Sequence, residues 1–296
     1  MKYTVYCGSY GNEGIYRCDF ENGILAEPMK ISDLGGTKYL ATGEDNIITL
    51  FKENGKSGVA VLNRNGDLIT SLAYEDIVSC FVGCLDNTVY TANFHEGTFS
   101  FLNYENDVLA LSKKVKIRDK AGCHMVLPWH DCFLGFALYM DCIYVFNKEY
   151  ECVNEIVFPE GTGPRHGVIS DNEEYLYVVS ELSREVFIIK AGTWEILDKV
   201  CLSDDENSSS AAIRLYENTL YVSVRGEDRV YEIKVNGEKL EVINSYFSGG
   251  KHPRDMIVLE GYVLCANTHS NVLSCVNEKG IVSEVEIPEA VAIAVI

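Results

Sequence analysis

Residues 163–186 read GPRHGVISDNEEYLYVVSELSREV, a stretch in which a basic pair and an acid flank one apparent β-hairpin. Strand-forming residues at 168–169 and 175–179 are separated by Ser170, Asp171, Asn172 and Glu173, a polar turn signal. At about 3.3 Å per residue the two strands run out and back. The entrance of the first (Arg165, His166) therefore lies beside the exit of the second (Ser180, Glu181). A guanidinium, an imidazole and a carboxylate at one mouth form a set suited to polarising an acyl group and moving a proton.

The same hairpin recurs along the chain. Second-strand exits align as SYGNEGI from Ser9, NFHEGTF from Asn93, ALYMDCI from Ala137, SELSREV from Ser180 and VRGEDRV from Val224. Entrances align as KYLA near Tyr39, CFVG near Phe81, CHMV near His124, PRHG near His166, AAIR near Ala212 and PRDM near Asp255. Successive entrances lie about 42 to 46 residues apart, the period of a four-stranded propeller blade. Residues 3–16 supply an exit without an entrance, and residues 291–295 an entrance without an exit. The expectation is an all-β fold: a seven-bladed β-propeller of four-stranded antiparallel blades, with strands from both termini closing one shared blade.

Composition agrees. At 296 residues and 47% hydrophobic letters the chain can bury a large core, and no Pro/Gly/Ser-rich linker divides it, so 1–296 reads as one propeller domain. SDDENSSS at 203–210 fits a loop between blades. The first residues lead straight into YTVYCGSY, with no signal peptide, and no apolar run nears the roughly 20 residues of a membrane span. A cytoplasmic location is expected. Eleven cysteines without CxxC pairs read as reduced residues, those in apparent strands acting as small core hydrophobes. A formal charge of −19 argues against nucleic acid or an anionic membrane as partner. A local basic cluster can still hold an anionic small molecule, since distant charges are screened.

Radial blades would bring all entrances and exits to one end of the central channel, gathering His124, Arg165, Glu181, Arg225 and Arg254 from four neighbouring blades. The competing reading is structural: Arg165 pairs with Glu181 across its own hairpin and ties the blade together. Three arginines against one obvious carboxylate make full self-neutralisation the weaker account.

The segments GTGPRHGVISDNEEYLYVVSEL, LYVSVRGEDRVYEI and GGKHPRDMIVLEGYVLCANTHSNV resemble blade signatures of the lactonase family of seven-bladed propellers. CGSYGNEGIY and YTANFHEGTFSF extend the resemblance over nearly the full chain. It implies hydrolysis of a sugar-acid lactone, first of all 6-phosphogluconolactone in the pentose phosphate pathway, with carboxymuconate-type lactonising cyclisation as a second chemistry on the scaffold. By motif position the family's catalytic histidine falls on His124, its arginine on Arg165 and its glutamate on Glu181. Arg225 or Arg254 would supply a further arginine, and His166 is a candidate beside them for substrate binding. Departures are AGCH where relatives have PHAH, Val224 in VRG for NRG, Ser180 in SEL for NEL, and Ala137 where an Asp is usual.

In the mechanism so implied, arginines hold the carbonyl or a substrate anion while Glu181, or His124 with it, takes a proton from the attacking water. No HxxxH or HExxH pattern is present, so neither metal nor cofactor is expected. His95 and His269 read as solvated loop residues, and His130 and His252 have no ligand spacing. Ser180 is a weak hydroxyl candidate. The expected partner is a small anionic lactone, and a monomer is expected because propeller edges are short. The alternative is a non-catalytic propeller that binds a metabolite or a protein.

Overall fold

The computed structural model describes residues 1–43 and 45–296. Seven antiparallel sheets form a propeller, six of them built from four consecutive strands. Their innermost strands are Leu40–Thr42 (blade 2), Phe81–Leu85 (blade 3), Cys123–Trp129 (blade 4), Pro164–Ile169 (blade 5), Ser209–Tyr216 (blade 6) and Pro253–Leu259 (blade 7). In blade 1 the chain's last strand, Ala290–Val295, lies innermost and pairs with the first, Lys2–Ser9. Ile15–Glu21 follows, and its outer neighbour is broken into Ile24–Leu25 and Met29–Ser32. The expected shared blade is present.

Strand character follows depth in the blade. Second strands are covered on both faces and read as nearly unbroken apolar runs, as in Tyr175–Ser180 (YLYVVS). Outermost strands face water on one side and alternate, as in Leu68–Glu75 (LITSLAYE). Packing between blades forms the core. The largest cluster joins blades 3 to 5 through Phe99, Phe101, Phe136, Phe146 and Phe187, each at most 1% exposed. Full burial of such a side chain stabilises by about 1.5–3 kcal/mol. All eleven cysteines are free, six of them buried. Among the described residues, no helix is long and apolar enough to cross a membrane.

One irregularity decides what faces the channel. Near the same end of several innermost strands the ladder skips a residue. In blade 4 Cys123 pairs with Ala137 and Met125 with Phe136, leaving His124 unpaired. In blade 5 the pairs Pro164–Ser180 and His166–Val179 leave Arg165, and in blade 7 the pairs Pro253–Asn267 and Asp255–Ala266 leave Arg254. Val291 is skipped in the same way in blade 1. A bulge bends its strand and re-aims the extra side chain, and all four of these residues line one cavity.

Candidate active site

The cavity, about 270 Å³, opens at the mouth of the channel. Tyr39, Cys80, His124, Arg165, Arg254 and Val291 reach it from the inner-strand entrances, and Tyr10, Phe94, Glu181 and Arg225 from second-strand exits. Every residue expected from the sequence, His124, Arg165, His166, Glu181, Arg225 and Arg254, lines this single cavity.

At its centre two guanidiniums share one carboxylate oxygen. Arg165 Nε donates to Glu181 Oε2 at 2.8 Å, and Arg225 Nη2 lies 3.1 Å from the same atom. Arg165 is fixed further by Nη1 donating to the Ala211 carbonyl at 2.6 Å, and Arg225 by Nη2 donating to the Ser210 carbonyl at 3.1 Å. The structural pairing of Arg165 with Glu181 is therefore real, but it does not exhaust the charge. Lys38, Arg165, Arg225 and Arg254 face one carboxylate, an excess of three positive charges. Burial, then the neighbouring Arg225, push the Arg165 guanidinium down to about 10 against the pull of Glu181, so it remains charged at neutral pH. Burial would raise the Glu181 carboxyl; Arg225 and Arg165 outweigh it and hold the group below its usual value. Glu181 is an anion whose Oε2 is occupied and whose Oε1 is left to accept a proton.

His124 and His166 form a second unit. His124 Nδ1 and His166 Nε2 are 3.1 Å apart, and both rings are nearly buried. Burial, followed by Arg165, drives both imidazoles well below their ordinary value, so both are neutral. Only one can donate in the shared bond. His166 Nδ1 is buried without a partner, and an orphaned N–H is rarer in folded proteins than an under-used acceptor. The arrangement with His166 Nε2–H donating to His124 avoids that orphan. It leaves His124 with its proton on Nε2, as a hydrogen-bond donor to the cavity. The ring of His166 is wedged edge-on against Phe81 and Tyr39, with centroids 5.9 and 6.1 Å away.

His95 and His269 are exposed residues of the links between strands, as the sequence reading put them. His95 also lines the cavity, edge-on to Phe94 at 5.3 Å, and His269 stacks on His252 at 4.0 Å. Ser180 is fully buried and bonds Ser183 and the backbone of Glu185, which makes it a turn-former. Tyr10, Lys38, Tyr39, Phe94 and Cys80 were not singled out. For Tyr10 and Phe94 a signal existed, since each is the second letter of its seven-letter exit, the position that Glu181 and Arg225 occupy in theirs. Lys38 is the first letter of the entrance KYLA, the position that Cys80 holds in CFVG, and lies in the connection just before its strand.

A seven-bladed propeller with a cationic, histidine-containing funnel defines a class, and the comparisons agree with it. The chain matches the family described as "Lactonase, 7-bladed beta-propeller" over residues 4–286 and belongs to it. It is 29% identical to the 6-phosphogluconolactonase of Bacillus subtilis, over 92% of this chain and 90% of that protein. Among solved structures, a protein from Lactobacillus plantarum superposes with a TM-score of 0.92 at 22% identity, covering all of both chains. A periplasmic gluconolactonase of Pseudomonas aeruginosa superposes with a TM-score of 0.86 at 18% identity, covering 100% of this chain and 99% of that one. These two structural likenesses speak for the fold.

Proposed function

We propose that this protein, a lactone hydrolase by family, opens 6-phosphogluconolactone to 6-phosphogluconate using side chains of the cavity itself. The observation that carries this reading is the two-arginine clamp on Glu181 Oε2, which orients an ionised carboxylate with one oxygen free in the same cavity as a neutral imidazole. The lactone carbonyl would lie against the His124 Nε2–H and the Arg225 guanidinium, donors already in place where negative charge develops on oxygen. Loss of one such donor typically lowers the rate about 10²–10³-fold. Glu181 Oε1 would take a proton from water as that water attacks the carbonyl carbon, and would return it to the ring oxygen as the C–O bond breaks. A carboxyl with a lowered pKa is a weak base, but an aldonolactone also opens unaided in water, so the demand on the base is modest. A positioned base of this kind is worth about 10²–10⁴.

The test is background-subtracted hydrolysis by wild type and Glu181→Gln, with thermal melts to establish that both are folded. The expected result is loss of at least about 100-fold in kcat. A folded Glu181→Gln with wild-type turnover would remove Glu181 as the base. A wild type that turns over no lactone but binds the hydroxy acid would favour a non-catalytic propeller.

A further inference from the structure

Outside the Glu181 clamp, two more cations meet at one aromatic ring. Lys38 Nζ lies 4.7 Å from the centroid of the Tyr10 ring, and the Arg254 guanidinium carbon 4.8 Å from the same centroid. The face of a phenol attracts cations, so one ring restrains the heads of two long, flexible side chains. Among the described residues, neither Lys38 nor Arg254 has a carboxylate oxygen within 4.0 Å, while Arg165, Arg225 and Arg214 all do. Both line the same cavity as the clamp.

Their place in the ring separates them from it. Arg254 comes from blade 7, Tyr10 from the end of the first strand in blade 1, and Lys38 from just before blade 2, three consecutive blades. His124, Arg165 with Glu181, and Arg225 come from blades 4, 5 and 6. In a ring of seven, blades 7, 1 and 2 face blades 4 and 5 across the channel. The cavity thus has a proton-handling side and, opposite it, a purely cationic side anchored on an aromatic ring.

We propose that Lys38 and Arg254, held on Tyr10, form a subsite for the phosphate monoester of the substrate, placed across the channel from the reacting carbonyl. The proposal rests on the lactone reading above, and it deepens that reading by assigning where the phosphate is held. A phosphate monoester carries about −1.5 to −2 charges at pH 7 and three acceptor oxygens, which suits two cationic donors without a carboxylate partner. In 6-phosphogluconolactone the carbonyl and the phosphate stand at opposite ends of the sugar, matching the two sides of the cavity. A neutral lactone would leave the three excess positive charges uncompensated.

The experiment compares kcat/KM on 6-phosphogluconolactone and on glucono-lactone for wild type, Lys38→Ala, Arg254→Ala, Tyr10→Leu and Tyr10→Phe. In parallel, calorimetric titrations use 6-phosphogluconate and gluconate. Wild type is expected to prefer the phosphorylated lactone. Lys38→Ala and Arg254→Ala should each lower that preference at least tenfold, mainly through KM, and weaken 6-phosphogluconate binding far more than gluconate binding. Tyr10→Leu should lower the preference as well, and Tyr10→Phe, which keeps the ring, should retain it. An equal loss on both lactones, or no loss, would overturn the assignment. If wild type hydrolyses neither lactone, the hydrolase reading fails while the titrations still decide the subsite: phosphate-selective binding lost in Lys38→Ala supports it, and equal binding of the two acids overturns it.

Discussion

Glu181 meets both arginines through one oxygen, which fixes the carboxylate plane and lowers its basicity at the same time. The net shift is downward although the group is largely buried, because two guanidiniums outweigh desolvation. The two histidines shift downward too, since burial and the arginines both disfavour a further cation. The sign of the pH dependence follows. Glu181 loses its proton below its ordinary value and the imidazoles gain one only well below 6.5, so the competent form, anionic Glu181 with neutral His124, prevails through neutral pH and across the ordinary histidine value of 6.5. We expect kcat/KM on glucono-lactone, corrected for spontaneous opening, to be flat over that interval and to fall only in more acidic solution. The unphosphorylated substrate is the right probe, because the second ionisation of a phosphate monoester, near 6, would impose its own inflection. An inflection near 6.5 with glucono-lactone would show that a histidine titrates and that His124 acts as a base.

At the scale of elements, turns and bulges place the side chains that the strands only carry. The exit NFHEGTF shows how tightly. Gly97 has φ of +66°, and a Cβ there would meet the Arg118 carbonyl oxygen at 1.8 Å. Its N–H donates to the Asn93 carbonyl and its own carbonyl accepts from Ile117, which holds Phe94 and His95 at the cavity wall. Gly97→Ala should therefore destabilise by at least about 2 kcal/mol, from left-handed strain plus displacement of the Arg118 carbonyl, read as a lower urea midpoint at unchanged slope. A midpoint equal to wild type would show that the loop yields freely. The blades were legible because polar turns and apolar runs recur with one period, and Arg165 and Glu181 because a short hairpin brings its ends together whatever surrounds it. The bulges at His124, Arg165 and Arg254 were not legible: one extra residue leaves the apolar pattern almost intact, yet it decides which side chain enters the channel. Lys38 opens the entrance KYLA, but the letters aligned with it are Cys80, Cys123, Pro164, Ala211 and Pro253, so the repeat offers no sign of a cation there.

For the whole molecule the governing fact is closure, because a propeller holds its funnel only while its ring is shut. Ala290–Val295 pairs with Lys2–Ser9 along one edge, and the other edge of that last strand is latched by a side chain. Asp255 of blade 7 accepts the Ile293 N–H at 2.9 Å through Oδ2 and the Arg214 guanidinium of blade 6 at 2.6 Å through Oδ1, so one carboxylate, 1% exposed, ties blades 6, 7 and 1. Asp255→Ala would strand a largely covered guanidinium and a buried backbone N–H together, a loss of about 3 kcal/mol. Asp255→Asn keeps an acceptor for Ile293 and should lose less. The release of Arg214 also reaches the site, because Arg214 already contributes to the downward shift of His166 and interacts with Tyr39. Without its counter-charge it would add a fourth uncompensated positive charge to the region. Asp255→Ala is thus expected to lower the unfolding midpoint and also to tighten the binding of 6-phosphogluconate. Chemical denaturation and calorimetry on the same samples test both effects, and a destabilised variant with weaker product binding would mean that the latch serves the site through its geometry and not through its charge.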